Sequence, residues 1–499
     1  MRAVAFLSAG IMLTRLAPAP SGDIPAHPRL LSFEERTFRV PEANERRVEL
    51  ADGIVAFLER DSFLPLIEIT LAFGVGSQDD PPGRTGLAFL TGAMLSRGGS
   101  AALSPAELDA TFEGMGVDLA SFVRARTAIV RLSTPSWAAD EAIDQLFDLL
   151  AAPRFDSDIL ENSRRSVLEG LGRRNENALD VLEREWTWLM LGPSHAGARA
   201  PTPTTIESIT RLELVSFYEC FWRPSNLIAA LSGDVSDEVL RLIDRRGSEW
   251  HQGSGDARAC DSSSTADPTG SLSPRPAPGP GTRVAFHPAP QAKIRIGHRI
   301  AKPPAATERE RFALRVAGEI LGGGGAISRL NGRLRTSEGL VYRANAEIEL
   351  DRAGEEEFRI FLETRTDRAW RAVDLALEEV ERLRNELVHP RELDVVRETL
   401  IGNLRSEFDT AEEIVGYLAE NVVLDRPDDY WNRYLEAVRT VTREEVRAAA
   451  RKFIRPEDFS VLVVGPKGRI LEGAERGLMI LPERDPRTLE PLAATDRPL

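Results

Sequence analysis

The sequence predicts an α+β protein: two homologous α/β-sandwich domains, each a mostly antiparallel sheet covered by helices, joined by a flexible linker. Three observations carry this. The chain has 499 residues, well past the roughly 250–300 at which a single hydrophobic core stops growing. A Ser-, Gly- and Pro-rich stretch, residues 247–282, divides it near the middle and has almost nothing to bury. The third is a repeat across that stretch. Ile209–Gly233 and Val441–Gly465 are equal in length. Thr210, Arg211, Glu213, Phe221, Arg223, Pro224 and Gly233 match Thr442, Arg443, Glu445, Phe453, Arg455, Pro456 and Gly465 at a constant offset of 232.

The elements follow in order. Residues 1–22 carry Arg2, an apolar run from Ala3 to Leu13 and small residues at Ala17 and Ala19, and so read as an export signal. That run is too short to span a bilayer, and no later stretch reaches a membrane-spanning length. Export implies a periplasmic or secreted protein, the alternative being a cytoplasmic one. The first domain, 34–246, opens with strands Arg47–Glu59 and Leu66–Phe73. Two helices with apolar residues at helical spacing come next, then the alternating strands VDLASFV and TAIVRLS, then three or more helices and a closing strand. The last helix before that strand is marked in both halves by a Thr N-cap with Glu three residues on, which is a capping box. An Arg-Pro pair then stops the helix.

The second domain, 283–470, repeats the plan. Its strands are Gly281–Phe286 and Ala292–Ile300, followed by helices and by VYRANAEIEL and EEFRIFLE. A looser match upstream sets Leu160, Arg164, Val167, Leu168 and Leu171 against Leu393, Arg397, Leu400, Ile401 and Leu404. Residues 471–499 read as a polar tail.

Composition narrows the function. With 42% hydrophobic residues the chain can fill two cores, and a net charge of −15 lacks the clustered cations that nucleic acid requires. Six His and two Cys leave few ligands for a metal. Cys220 lies in a helical pattern and Cys260 in the linker, so they supply no disulfide framework. No G-x-S-x-G, phosphate-binding G-x-x-x-x-G-K-[ST], C-x-x-C or H-E-x-x-H occurs, and no two His stand one helical turn apart.

Three segments carry a family resemblance: GVGSQDDPPGRTGLAFLTGAMLSRGGS, ITRLELVSFYECFWRPSNLIAALSGDV and EILGGGGAISRLNGRLRTSEGLVYRANA. They resemble the insulinase/pitrilysin (inverzincin) zinc peptidases, closest to the mitochondrial-processing-peptidase-like branch and its bacterial relatives. The resemblance runs from about Glu34 to Gly465. It implies a helix bearing H-x-x-E-H, whose two His bind zinc and whose Glu activates water. Here the two His positions fall on Phe89 and Ala93 and the base position on Gly92, none of which can do that work. The third ligand position falls on Glu169, 76 residues after Ala93. One carboxylate does not hold zinc, so this chain alone is expected to bind no metal. Phe89, Leu90 and Leu95 are expected to be helix-packing residues that fill or line the old site.

The resemblance also implies an Arg and a Tyr seven residues later, holding the substrate backbone and stabilising the oxyanion. RLRTSEGLVY places them at Arg335 and Tyr342. A guanidinium offers a planar fork to peptide carbonyls, and a phenol donates to developing negative charge. Gly322, Gly323, Gly324 and Gly325 match a Gly-rich loop that touches substrate in the family. An interhelical turn is an equally good reading of them. The expected function is a non-catalytic subunit of a heterodimeric zinc peptidase. A homologous zinc-bearing chain would be the partner, and an extended peptide the substrate. The alternative is a binding or scaffold protein with no part in proteolysis.

Overall fold

Two six-stranded sheets, one in each half, follow the same plan in five of their six strands. The computed structural model describes residues 38–50, 53–253, 279–300, 307–323, 325–349, 356–472 and 478–492. The expected export signal, residues 254–278 of the linker and Gly324 lie outside them.

The first half comprises α1 (Ala43–Arg46), β1 (Arg47–Glu49), β2 (Val55–Arg60), β3 (Leu66–Phe73), α2 (Leu87–Arg97), α3 (Pro105–Met115), β4 (Asp118–Val123) and β5 (Ala128–Pro135). It continues with α4 (Ala139–Ala151), α5 (Ser157–Gly172), α6 (Ala178–Leu191), α7 (Pro203–Ser208), α8 (Arg211–Phe221), β6 (Leu227–Gly233) and α9 (Asp237–Gly253). The second half has β7 (Gly281–Phe286), β8 (Gln291–Arg299), α10 (Glu308–Gly318), β9 (Val341–Glu349), β10 (Glu357–Arg365) and α11 (Ala369–Asn385). Then come α12 (Pro390–Ser406), α13 (Ala411–Val423), α14 (Tyr430–Thr440), α15 (Arg443–Phe453), β11 (Ser460–Gly465), α16 (Lys467–Leu471) and β12 (Met479–Ile480).

The sheets run β1-β2-β6-β3-β5-β4 and β12-β7-β11-β8-β10-β9. The pairs β2–β6, β7–β11 and β7–β12 are parallel and the rest antiparallel. The expected strand Arg47–Glu59 is in fact two, β1 folding back on β2 with Arg47 opposite Phe57. Gly53 in the connection sits at φ +76°, a torsion that glycine adopts without strain.

Both capping boxes form. Thr210 Oγ1 accepts from Glu213 N at 3.3 Å and Thr442 Oγ1 from Glu445 N at 3.1 Å. The following arginines tie α8 and α15 to the same place in each half. Arg211 Nε donates to Phe155 O at 2.9 Å, and Arg443 Nε donates to Val388 O. Shared sequence has become shared tertiary bonding.

Each half lends one helix to the other. The apolar face of α6 (Leu182, Trp186, Met190) packs on Ala285, Phe361, Leu462 and Val464 of the second sheet. The corresponding helix α13 packs Val415, Leu418 and Ala419 on Phe57 and Ala230 of the first. A sheet face that one half leaves apolar is thus covered by the other, which removes it from water.

The expected linker is structured at both ends: residues 247–253 complete α9, with Trp250 4% exposed in the first core, and Gly281 and Thr282 open β7. The C-terminal expectation changes too. Residues 478–492 do not simply trail. Met479–Ile480 pairs with β7, Leu481 N donates to Val284 O at 2.8 Å, and the Arg484 guanidinium lies 4.7 Å from the Trp188 ring. Cys220, in α8, is disulfide-bonded. No helix among the described residues is long and apolar enough to cross a membrane.

Candidate functional site

The segment before α2 is built to present that helix. Asp80 is 2% exposed, and its carboxylate accepts from Gly86 N and Ala88 N, both at 2.7 Å. It thereby caps donors that α2 could not satisfy itself. Burial outweighs those two bonds and pushes the Asp80 carboxyl up to about 6. Since the unfolded value is lower, the native chain holds this proton more tightly. The stability this group contributes is present below about pH 4 and is lost as pH rises through 6. Urea unfolding at pH 4.5 and pH 7 tests this: Asp80→Asn is expected to flatten the difference seen in the native chain. A difference untouched by the substitution would place the titrating group elsewhere.

On α2 itself, Leu90 and Leu95 are fully buried, as expected of packing residues. Phe89 is not. It is 50% exposed, because its position on the helix faces away from the core that Leu90 and Leu95 enter. Ala93 is half-buried and Gly92 buried. A Cβ on Gly92 would come 2.5 Å from Val123 Cγ2 of β4, so the strand closes on the helix here. Glu169 is exposed on α5, beside α2. Neither Phe89, Gly92 nor Ala93 offers a donor. Among the described residues no three His, Cys, Asp or Glu are grouped to hold a metal. The residues present do not fit zinc.

A cleft of about 520 Å³ adjoins this place, between the end of α2, β4 and α5. Its polar wall is mostly hydroxyls, Ser96, Ser121, Ser163 and Ser166, with Asp109 its single carboxylate.

Arg335 and Tyr342 are brought together. Leu330 leads into a π-helical stretch, Asn331–Ser337, which carries Arg335, and Tyr342 opens β9. The Arg335 guanidinium carbon lies 5.4 Å from the centre of the Tyr342 ring. Both side chains are exposed, Tyr342 at 74%. A cation over an aromatic face holds the pair without using up the phenol hydroxyl. Asn331 fixes the base of this stretch, donating through Nδ2 to Ala344 O at 2.7 Å and to Gly325 O at 2.9 Å.

The glycines separate by role. Gly322 is buried, and a Cβ there would meet Ala346 N of β9 at 2.1 Å, so the position demands close backbone approach. Gly323 is exposed, and Gly325 turns the chain at φ +62°. Sequence reasoning did not single out Arg315 or Glu319, which lie on the equivalent helix of the second half and line a larger cleft. The available signal was their i, i+4 spacing ahead of the glycines.

Two family models match. Residues 55–188 match insulinase (peptidase family M16), and residues 208–400 match the peptidase M16 inactive domain. Together they cover about two thirds of the chain. The chain belongs to the insulinase, or M16, peptidase family. An uncharacterized zinc protease of Mycobacterium leprae is 24% identical over 308 residues, which are 61% of this chain and 66% of that protein. Among solved structures, the peptidase M16 inactive domain from Pseudomonas fluorescens superposes with a TM-score of 0.72 at 23% identity. That match covers 84% of this chain and 98% of the other. A protease from Helicobacter pylori gives 0.67 at 16% identity, covering 84% and 99%. The periplasmic protease PqqL from Escherichia coli gives 0.68 at 14%, covering 90% of this chain and 49% of that one. These likenesses establish the two-domain M16 fold.

Proposed function

We propose that this chain is the non-catalytic subunit of a heterodimeric M16 zinc peptidase, contributing Arg335, Tyr342 and half of the chamber to a zinc-bearing partner. The observation that carries this reading is the unequal state of the two halves. The first offers no metal donors at Phe89, Gly92 and Ala93, while the second holds Arg335 and Tyr342 side by side and open to solvent. Internal duplication explains how one chain can lose one function and keep the other.

In this role the Arg335 guanidinium takes a peptide carbonyl in its planar fork. The Tyr342 hydroxyl donates to the oxygen on which negative charge develops. The zinc and the water-activating carboxylate belong to the partner, and no step of that chemistry falls on residues of this chain. A periplasmic or secreted location fits the expected export segment, and the disulfide at Cys220 is at home in an oxidising compartment.

Co-expression with a homologous chain that carries H-x-x-E-H tests the reading. The pair is expected to cleave peptides that neither chain cleaves alone. Tyr342→Phe should lower kcat/KM about 100-fold or more, the usual cost of one oxyanion donor. Cleavage unchanged by Tyr342→Phe and Arg335→Ala would favour a scaffold role instead.

A further inference from the structure

The β2–β3 connection and the turn after β5 form one corner of the first half, and it holds large apolar side chains in water. Phe63 is 87% exposed and Trp137 73%, with Leu64 and Leu66 exposed beside them. The two loops are pinned together. Ser136 N donates to Pro65 O at 2.9 Å, Ser136 Oγ to the Asp234 carboxylate at 2.8 Å, and Asp234 N to Leu66 O at 2.8 Å. At the apex Phe63 N donates to Asp61 Oδ1 at 2.9 Å, which turns the chain. The apolar groups are thus placed before anything covers them, and little ordering entropy is left to lose on binding.

The fold itself does not require these residues. Leu66 pairs with Pro135 in the first sheet as Gln291 pairs with Arg365 in the second, so the two halves have equivalent corners. The second corner is built from His287, Pro288, Ala289 and Pro290, with Asp367 in the place of Trp137. It is closed by the chain itself. His287 Nε2 lies 2.9 Å from Asn175 O, and Ala289 and Leu481 pack on the cluster around Trp186. The first corner has the larger apolar groups and no such cover among the described residues.

Its rim narrows what can cover it. Asp61 and Asp234 flank the loops, and Asp140 and Glu141 follow Trp137 by about one helical turn at the start of α4. None of these four carboxylates has an ion-pair partner among the described residues. The neighbouring cations Arg60 and Arg241 are taken by Asp237 and Glu238 in the first turn of α9. A second copy would set one acidic rim against another, and an anionic lipid surface would meet the same repulsion. The exposure of Phe63 makes the corner a projection, so a surface that buries it must be recessed.

We propose that this corner docks a partner protein whose apolar recess, ringed by Lys and Arg, receives Phe63 and Trp137. Aromatic side chains filling a desolvated pocket carry most of the energy of such contacts, and a rim of opposite charge orients the approach. The corner includes none of Arg335, Tyr342, Phe89, Gly92 or Ala93, so it adds a surface to the reading above and does not rest on it.

The experiment is photo-crosslinking of the full chain in its native host, with benzoylphenylalanine replacing Phe63. One protein adduct is expected, its linked residue lying in an apolar recess edged by Lys or Arg. Its yield should fall at least tenfold on Trp137→Ser, and by as much on Asp140→Lys with Glu141→Lys. All three side chains are exposed, and an unchanged Tm verifies that the variants fold. The purified partner should bind the native chain and lose at least tenfold in affinity to Phe63→Ser, with binding weakened by salt. A crosslinked dimer of this chain, adducts confined to lipid, no adduct, a linked surface without Lys or Arg, or a yield untouched by the charge reversal would each overturn the proposal. Adduct formation here and peptide cleavage with a zinc-bearing chain are separate readouts, so either can fail without the other.

Discussion

Replacing Trp186 with alanine is expected to unfold the second sheet first, although Trp186 belongs to the first half of the sequence. The residue sits on α6, is 2% exposed, and packs with Leu182 against Phe361, Leu462 and Val464 of the other half. Its indole N–H donates to the Glu357 carboxylate, whose pKa burial already raises. Removing the ring opens a cavity at this crossing and strips Glu357 of that donor. Losses of this kind cost about 3–5 kcal/mol. In a domain of this size that lowers Tm by about 10 °C. Hydrogen exchange locates the effect: amides of β8, β10 and β11 should lose protection ahead of those in β3 and β5. Loss confined to the first sheet would mean that α6 is not what covers the second.

That exchange of helices also marks where the sequence stops being readable. Periodicity shows that Ala178–Leu191 and Ala411–Val423 each have an apolar face, but not which sheet receives it, since an amphipathic pattern fixes burial and leaves the partner open. What is set by local chemistry was legible. The Thr–Glu capping boxes, the Arg-Pro stops and the strands Leu66–Phe73 and Gly281–Phe286 stand where the residues place them. Residues 47–59 read as one strand only if the Asp52-Gly53 pair, a hairpin signal in its own right, is passed over. The docking of Met479–Ile480 on β7 was hidden for the opposite reason, two residues being too few to show a period.

The candidate site divides in the same way. That Arg335 and Tyr342 meet depends on a π-helical stretch turning into β9, which a spacing of seven residues does not reveal by itself. The resemblance to the peptidases supplied that pairing. The exposure of Phe89 was misjudged because an apolar residue on an apolar helix reads as core, although it faces outward. Arg315 and Glu319 were passed over because each alone is an ordinary surface residue of an amphipathic helix. Only the register of β9 and the absence of a Cβ at Gly323 make them the wall of a cleft.

Restoring the metal motif is expected to fail at its middle residue. Gly92→Glu would place a carboxylate where a Cβ alone already comes 2.5 Å from Val123 Cγ2. Valine is stiff about χ1, so the contact cannot be relieved by a rotamer change without disturbing β4. Overpacking of this kind costs about 1–3 kcal/mol, and a buried, unpaired carboxylate adds more. Gly92→Ala separates the two contributions, since it introduces the steric one alone. Its cost, read from urea midpoints, should fall when Val123→Ala is added, with a coupling of about 0.5–3 kcal/mol between the two sites. Phe89→His and Ala93→His with Gly92→Glu should then give a destabilised chain that gains no peptidase activity in the absence of a partner. A Gly92→Glu chain as stable as the native one would show that β4 yields easily, and the loss of the motif would be a change of three residues only. The packing predicts otherwise: β4 has closed over α2, and recovering a metal centre in the first half requires moving the strand as well as replacing the ligands.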